Sequence, residues 1–312
     1  MKANYYFLPI LLFPLFASCS SSDDEETIVN DGGRKLRYLT ITQVEADKAT
    51  RSLFDLTRAS LTDNVNTLTA SWTAGDNLAY CNLSYLDKSY YFPTSSILGT
   101  LMAQSTAENS VFKGSITCDI GDHIALAFPI NVSNISYNTY NATFSLDLSG
   151  QDGTLETLAN NYHFVCGIAD ITSVTDNTAS ATIQMKSLLS LCKFTFKDAS
   201  DAIIPIESLS ICYREGSSIN EPNKYPLTAS IKLSQSDEFN DIIVEAKNGE
   251  TTQLIIKPAN NLAEVYVALL PTGSNGRTFR FTVNDTYYCD AEAILNAGEF
   301  YPTILNLNKL NN

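Results

Sequence analysis

Histidine and cysteine side chains are the usual protein ligands of zinc, and they are scarce and scattered in this chain. The two histidines are His123 and His163, and His163 and Cys166 have the spacing H-x-x-C. A zinc site needs three or four ligands, and no second cluster of such residues stands out in the sequence. We therefore interpret His163 as a polar position on a strand and predict no metal site.

Carboxylates offer two further kinds of chemistry, calcium binding and glycoside hydrolysis. In "SGQDGTLE" (149–156), Asp152 and Glu156 could bind calcium. Asp-Gly is also a common turn pair, and we favour a turn at Asp152-Gly153. A glycosidase needs a pair of carboxylates, and nothing singles one out. The sequence also lacks G-x-S-x-G, P-loop and G-x-G-x-x-G motifs. We predict neither catalysis nor a cofactor.

Cys19 has the most specific chemical setting of any cysteine in the chain. Residues 1–18 have the parts of a secretory signal, with Lys2 at the start and the apolar run "YYFLPILLFPLFA" (5–17). That run is too short to span a bilayer, which takes about 20 apolar residues. Small residues before a cysteine form a lipobox, in which the thiol is alkylated by diacylglycerol, although Phe16 stands where leucine is usual. The sequence predicts lipidation of Cys19; the alternative is an ordinary signal with an incidental thiol.

Acidic residues dominate the charge of the chain and the segment after Cys19. "SSSDDEE" (20–26) is a flexible acidic tether that holds the folded body away from the membrane. It also resembles the acid-rich tag of lipoproteins that some two-membraned bacteria move to the cell surface; a solvated linker without an address is the alternative. The net charge of −14 repels phosphate backbones, so nucleic acid is not an expected partner.

Strand patterns dominate the chain after residue 35. Short segments rich in β-branched and aromatic residues alternate with Gly, Asn, Asp and Pro, and no long helical pattern appears. This is typical of an all-β chain built from antiparallel sandwiches. The polar break "TSVTDNTAS" (172–180) precedes fresh apolar content. We therefore predict one sandwich at residues 59–185 and a second at residues 186–312.

Cysteines and aromatic residues distribute between core and surface in this interpretation. Leu68, Ala70 and Trp72 occupy every second position of one strand, so they share a face, and this predicts that Trp72 packs in the core. "YLDKSYYF" (85–92) is the aromatic cluster expected on an exposed loop, where it could stack on sugars. The cysteines after Cys19 form no C-x-x-C pair, and several sit in apolar runs, which favours small buried hydrophobes over a chosen disulfide pairing. They are Cys81, Cys118, Cys166, Cys192, Cys212 and Cys289.

Three stretches resemble the fimbrillin family, the subunits of type V pili and their relatives. "TRASLTDNVNTLTASWTAGDNLAY" (57–80) has a Thr-Arg pair, a strand ending in Trp and a Gly-Asp turn. "SGQDGTLETLANNYHFVCG" (149–167) is similar to the family's Q-D-G-T-L segment. "ILNAGEFYPTILNLNK" (294–309) is similar to its closing A-G-x-x-Y strand. The lipobox completes the pattern.

The resemblance implies two transthyretin-like antiparallel β-sandwich domains in tandem. It also implies a lipoprotein precursor that an Arg-specific protease cuts at the cell surface. Cutting would release the first strand and open a groove, which a strand of the next subunit would fill by β-augmentation. Head-to-tail donation does not close on itself, so it would build a fibre.

Mapped onto this chain, the resemblance places the removed segment at residues 19–58. Cutting would fall between Arg58 and Ala59, with Arg51-Ser52 as the alternative; a basic residue in an exposed linker is the other interpretation of both. The removable strand would include Leu36, Leu39, Ile41 and Val44, with Leu39 and Ile41 facing the core.

The donor would be the last strand, residues 301–310. Pro302 in this segment cannot donate a hydrogen bond to a sheet, so it marks an edge strand or a strand start. The residues assigned to it are Tyr301, Thr303, Leu305 and Leu307.

We thus predict a structural and adhesive pilus subunit at the cell surface, anchored in the outer membrane through Cys19 before processing. Its partners would be copies of itself or related pilus subunits, and a glycan or protein on a host or bacterial surface. The alternatives are an uncleaved surface lipoprotein that binds glycans, for which the sixteen tyrosines could build a platform, and a pilus anchor subunit.

Overall fold

Alternating apolar and polar residues shape most of the chain into short strands. The computed structural model describes residues 34–43, 60–88, 93–214, 224–247 and 253–310. Strands dominate these residues, so the predicted all-β class is confirmed.

The strands are numbered here in chain order. Those before residue 188, within the described residues, are β1 (Lys35–Gln43), β2 (Ser60–Asp63), β3 (Leu68–Ser71), β4 (Asn77–Asn82), β5 (Leu98–Ala103), β6 (Val111–Cys118), β7 (His123–Phe128), β8 (Ile135–Tyr137), β9 (Asn141–Asp147), β10 (Val165–Val174), β11 (Thr178–Ile183) and β12 (Lys186–Ser187). The later ones are β13 (Ser190–Lys197), β14 (Leu209–Tyr213), β15 (Thr228–Ser234), β16 (Val244–Ala246), β17 (Leu254–Ile256), β18 (Glu264–Leu269), β19 (Arg277–Val283), β20 (Tyr287–Ala293), β21 (Phe300–Asn306) and β22 (Asn308–Lys309).

Helical structure is limited to single turns between strands. The α-helical turns are α1 (Thr94–Ile97) and α2 (Leu155–Thr157), and a π-helical turn (Leu158–Tyr162) continues α2. Short 3₁₀ helices lie at Leu83–Lys88, Val132–Asn134 and Phe239–Asp241. Nowhere in the described part of the chain is a helix both long and apolar enough to cross a membrane.

The largest sheet closes on itself around β1. Its strands run in the order β11-β1-β6-β5-β4-β7-β10-β12, and β10 also pairs with β11. Strand β1 is antiparallel to β6, with Leu39 opposite Gly114, and parallel to β11, with Leu39 opposite Ala179. Because β6 and β11 do not pair with each other in the described structure, β1 completes the ring.

An apolar core fills this closed sheet. The Trp72 ring contacts Phe112 and Phe128 edge-on, with centroid distances of 4.9 and 5.4 Å. Leu39 and Ile41 of β1 are fully buried in the same core. The prediction that Trp72 packs in the core is confirmed.

Two further sheets form most of the chain after residue 188. The three-stranded sheet β18-β13-β21 packs on the five-stranded sheet β17-β14-β19-β20-β22. Phe194 of β13 contacts Phe281 of β19 with ring centroids 4.9 Å apart, and Phe196 and Phe279 join the same aromatic layer. Burial of these rings holds the two sheets together.

A four-stranded sheet, β16-β15-β9-β8, draws strands from both halves of the chain. Strand β9 pairs with β15 over its whole length, with Phe144 opposite Ile231. The described residues all lie within one compact unit, residues 33–312. The division into sandwiches at residues 59–185 and 186–312 stays a prediction.

The cysteines after Cys19 are all buried, and none of these described residues forms a disulfide. Burial raises the pKa of the Cys81, Cys166 and Cys289 thiols to about 12, which keeps them protonated. The prediction that they act as small buried hydrophobes is confirmed.

Strand β1 offers a matched test of its own packing. Leu39→Ala should lower the free energy of unfolding by about 2–4 kcal/mol, because Leu39 is fully buried. Leu36→Ala, on the same strand, should change it by less than about 0.5 kcal/mol, because Leu36 is 68% exposed. Urea unfolding of both variants measures the difference; equal effects would contradict the packing of β1 described here.

Candidate functional site

The gap that β1 fills between β6 and β11 is the candidate site, and we call it the β1 slot. Main-chain pairing runs along both sides, from Lys35–Cys118 to Thr42–Val111 on β6 and from Tyr38–Thr178 to Gln43–Ile183 on β11. The slot therefore holds its occupant by two ladders of hydrogen bonds. A strand that left would expose both ladders to water or to another strand.

Side chains of β1 alternate strictly across the slot. The inward side chains are buried, whereas the outward ones are exposed except for half-buried Thr40. The inward residues are Arg37, Leu39, Ile41 and Gln43. Alternation follows from the pleat, which points successive side chains to opposite faces. The slot thus has four inward positions, with apolar side chains at the two central ones and polar side chains at the outer two.

One end of the slot is lined by carboxylates, and we call Asp119, Asp122 and Asp176 the acidic end. Arg34 pairs with buried Asp122 at 2.7 Å. Arg37 lies 3.8 Å from Asp119.

Two of the three cationic partners of the acidic end, Lys35 and Arg37, differ in exposure. Lys35 pairs with Asp176 at 3.1 Å in an exposed position. The guanidinium of Arg37 is buried and also donates to the carbonyl oxygens of Thr175, at 2.8 Å, and Cys118. Arg34, just before β1, and Lys35 and Arg37 of β1 thus pair with the acidic end.

The other end of the slot presents an indole N–H, and we call it the tryptophan end. Trp72 Nε1 donates a 2.7 Å hydrogen bond to Gln43 Oε1. Both side chains are buried, so this N–H needs an acceptor from whatever strand fills the slot.

Strand β21, the last long strand, is an edge strand. It pairs in parallel with β13, and no described strand pairs with its other side. Tyr301, Thr303 and Leu305 face the core and are half-buried, and Leu307, just after the strand, is buried. Ile304, on the outward face, is 62% exposed.

A cavity of about 160 Å³ lies beneath β21. Its lining is mainly apolar and includes Phe194, Phe279 and Phe281 together with Tyr301 and Leu305. Apolar atoms that face a void lose dispersion contacts, so β21 is held less tightly than a fully packed strand.

The opposite edge of the same sheet is covered. Gln151 Oε1 accepts a 2.8 Å hydrogen bond from the Ala268 amide of β18, and its Nε2 donates at 3.0 Å to the Ala268 carbonyl. The side-chain amide thereby substitutes for a neighbouring strand. Nothing in the sequence pattern alone assigned this role to Gln151.

Asp152, a candidate calcium ligand, stabilises a turn at Gly153. Gly153 has φ +81°, and a Cβ atom there would lie 2.9 Å from Val265 Cγ1, so glycine is required. Asp152 accepts hydrogen bonds from the Thr154 amide and from Thr157, while Glu156 is exposed. The preferred interpretation of Asp152-Gly153 as a turn is confirmed.

The H-x-x-C pair considered for zinc binding and Tyr85 of the segment considered for sugar stacking are buried. His163 and Cys166 are both buried, and the described residues contain no group of three or more metal-binding side chains. We predicted that Tyr85 lies on an exposed loop, and this prediction is wrong. It lies in a 3₁₀ helix and is fully buried, because the helix turns its ring into the core.

An ion-paired joint connects β2 to the later half of the chain, and sequence reasoning missed it. Lys193 Nζ lies 2.8 Å from Asp63 Oδ2 and 2.8 Å from Glu264 Oε2. Tyr266 donates a 2.6 Å hydrogen bond to Asp63. Although burial opposes ionisation, the bonds from Lys193 and Tyr266 hold the pKa of the Asp63 carboxyl below its ordinary value of 3.8.

Several predicted site residues lie outside the described residues. These are Cys19, Val44, Arg51, Ser52, Arg58 and Ala59. Leu36, Leu39 and Ile41 lie on β1, at the slot. The assigned donor residues lie on or just after β21, near the end of the chain and in a different sheet from β1.

No family model and no curated protein matches this sequence. Solved structures do match. One from Bacteroides ovatus ATCC 8483, described as a "putative cell adhesion protein", is 13% identical with a TM-score of 0.50, and the match covers 89% of this chain and 97% of that chain. Another from Bacteroides uniformis ATCC 8492, described in the same words, is 13% identical with a TM-score of 0.46, covering 89% and 95%.

A fimbrial protein from Bacteroides ovatus ATCC 8483 is 12% identical with a TM-score of 0.36, and the match covers 87% of this chain and 49% of that chain. At such identities a likeness shows the fold alone. The first structure shares the overall all-β fold of this chain. The two tandem transthyretin-like domains stay a prediction.

The joint at Asp63 makes stability depend on pH. Lys193→Met should lower the free energy of unfolding by about 1–3 kcal/mol at pH 7, because it leaves a largely buried carboxylate without its cation. The Asp63 pKa is lower in the folded chain than in the unfolded chain, so the pair stabilises above pH 3.8 and this stabilisation is lost as the pH falls further. The deficit of the variant should therefore shrink in acid.

Lys197→Met is the matched control for this measurement. Its partner Asp201 is 80% exposed, so the change should cost at most about 1 kcal/mol. Urea unfolding from pH 7 to about pH 3 compares the two variants. A deficit of Lys193→Met that stays constant across this range would contradict the ion pair as its cause.

Proposed function

We propose that this chain is a structural and adhesive subunit of a cell-surface pilus that assembles by strand exchange. In this proposal the chain is exported as a lipoprotein precursor, cut by an Arg-specific protease, and polymerised through the β1 slot. The observation that carries it is the placement of β1. This N-terminal strand closes a sheet between two strands distant in sequence, and residues 44–59, with Arg51 and Arg58, separate it from β2.

Loss of β1 creates a strong demand for a replacement strand. Burying Leu39 and Ile41 contributes roughly 3–6 kcal/mol by area alone, and the main-chain ladders of β6 and β11 add to this. Cutting after residue 58 would leave β1 held by non-covalent contacts alone. A strand from another copy can restore those contacts, so the opened slot is a binding site for a second chain.

The donor in this proposal is the C-terminal segment 301–310, which lies in β21 and in the short strand β22 that pairs with β20. Strand β21 is an edge strand above a cavity, so it gives up fewer contacts on leaving than a central strand would. Donation from one copy to the slot of the next is head-to-tail and leaves a free slot and a free donor at the two ends. Such an arrangement extends into a fibre rather than closing into a ring of fixed size.

The rest of the proposal concerns export and partners. Lipidation of Cys19 would hold the precursor at the outer membrane, and cutting at Arg58 would leave the acidic tether behind. Partners would be other copies or related subunits, with an adhesive target on a host or bacterial surface. The fold shared with a structure described as a cell adhesion protein supports this assignment. The proposal includes no catalytic residue and no cofactor.

Limited proteolysis of the purified precursor with an Arg-specific protease tests the proposal. We expect a product that begins at Ala59, together with a ladder of multimers on an unboiled denaturing gel, because opened slots accept strands from other copies. Intact mass gives the cut site, and the gel gives the assembly state.

Arg58→Lys is the matched control, since it keeps the charge but removes the arginine. It should remain uncut at this position and monomeric. A product beginning at Ser52 would move the site to Arg51 and keep the mechanism. A precursor that is cut yet stays monomeric, or one that resists cutting, would contradict the assembly proposal and favour an anchor subunit or a glycan binder.

A further inference from the structure

We propose that the incoming C-terminal strand fills the β1 slot in the direction opposite to β1. Lys309 then takes the place of Arg37, Leu307 that of Leu39, Leu305 that of Ile41, and Thr303 that of Gln43. This inference rests on the proposed function and adds to it a register, a direction and the side chains that select the partner.

The acidic end sets the first requirement on the incoming strand. When the segment with β1 leaves, Asp119 loses Arg37 and Asp122 loses Arg34, so the acidic end is left without these cations. Asp122 keeps two hydrogen bonds from neutral donors, the Asn82 side chain and the Asp119 amide. A partly buried cluster of carboxylates is unfavourable without a cation, so this end selects a basic side chain.

The tryptophan end sets the opposite requirement. Trp72 Nε1 is a donor without acceptor capacity, and it loses Gln43 Oε1 when β1 leaves. An incoming side chain with an oxygen acceptor restores the bond. An ammonium group cannot, because it has donors only.

The C-terminal strand meets both requirements in one direction. Lys309 is the only basic residue between positions 298 and 312. Reading backwards from it at every second residue gives Lys309, Leu307, Leu305 and Thr303, a basic residue, two leucines and a hydroxyl acceptor. The inward positions of β1 read forwards as Arg37, Leu39, Ile41 and Gln43, so the chemical order is the same in reverse.

Other placements of the strand fail on chemistry. In the same direction as β1, the Lys309 ammonium would face the Trp72 N–H, and Thr303 would face the acidic end. A slip of one residue would turn Asn306 and Asn308 inward and the leucines outward. A slip of two residues would place Thr303 at a central apolar position and Leu307 against Asp119.

Reversal changes the pairing but not its feasibility. Strand β1 is antiparallel to β6 and parallel to β11, whereas the incoming strand would be parallel to β6 and antiparallel to β11. Both patterns satisfy every second main-chain group on each side of a strand. The side chains therefore choose the direction.

Engineered disulfides report the direction, because each direction places Asn308 beside a different residue of β6. In the reversed direction Asn308 takes the position of Tyr38, which is paired with Ser115. In the direction of β1 it takes the position of Thr42, which is paired with Val111. Neighbouring strands lie about 4.8 Å apart in either direction, so paired Cα atoms fall within the range that a disulfide can bridge.

The experiment mixes two cut chains under mild oxidation, one carrying Asn308→Cys and the other carrying Ser115→Cys or Val111→Cys. We expect a covalent dimer with Ser115→Cys and little with Val111→Cys on a non-reducing gel. Wild-type chains, whose cysteines after Cys19 are buried, are the control and should give no covalent dimer.

Each other outcome overturns the inference, and the unboiled gel separates it from the pilus proposal. Cross-linking to Val111→Cys instead would establish the direction of β1. Multimers that cross-link through neither position would exclude this register or this donor while the pilus proposal stands. Wild-type chains that are cut and form no multimers would overturn both.

Charge at the acidic end supplies a second measurement. Lys309→Glu should slow multimer formation by about tenfold or more, because it brings a carboxylate to the acidic end, and Lys309→Arg should stay within about twofold of the wild type. Lys309 is exposed in the free chain, so neither change disturbs the starting fold. Equal assembly rates for the glutamate and arginine variants would overturn the assignment of Lys309.

Discussion

The fold depends on one non-covalent constraint, the seating of β1 between β6 and β11. In the described structure these two strands meet only through β1, so the closed sheet exists because this strand fills the gap. Two buried apolar side chains hold its centre, and ion pairs and the Gln43–Trp72 hydrogen bond hold its ends. In the proposed function, a cut between β1 and β2 would leave this strand held by these contacts alone.

The two edges of the three-stranded sheet β18-β13-β21 differ, because one is covered by a side chain and the other is not paired in the described structure. Gln151 covers the β18 edge of the three-stranded sheet with a side-chain amide, whereas β21 forms the other edge above a cavity. The joint of Asp63 with Lys193 fixes β2 to the later half of the chain. Strand β2 is thus anchored by a contact that does not involve β1.

Local patterns predicted much of this structure, and long-range contacts explain what they missed. Alternation was enough to predict that Trp72 is buried, because period two is a local property of strands. The family resemblance placed Leu39 and Ile41 toward the core, and both are buried. The ion pair of Asp63 and Lys193 joins residues far apart in sequence, so no local pattern contains it. Tyr85 was misjudged because its charged neighbours resemble a loop, whereas a 3₁₀ turn buries its ring beneath Arg34, with the guanidinium 5.0 Å from the ring centre.

Amide hydrogen exchange of the precursor, of the cut chain and of the multimer is the most direct test of the central claim that β1 is a replaceable strand. The account predicts that β6 (Val111–Cys118) and β11 (Thr178–Ile183) lose protection after cutting and regain it in the multimer. Strand β19, paired on both sides by β14 and β20, should stay protected throughout. Unchanged protection of β6 and β11 in the cut monomer would mean that β1 never leaves its slot, and would contradict the account.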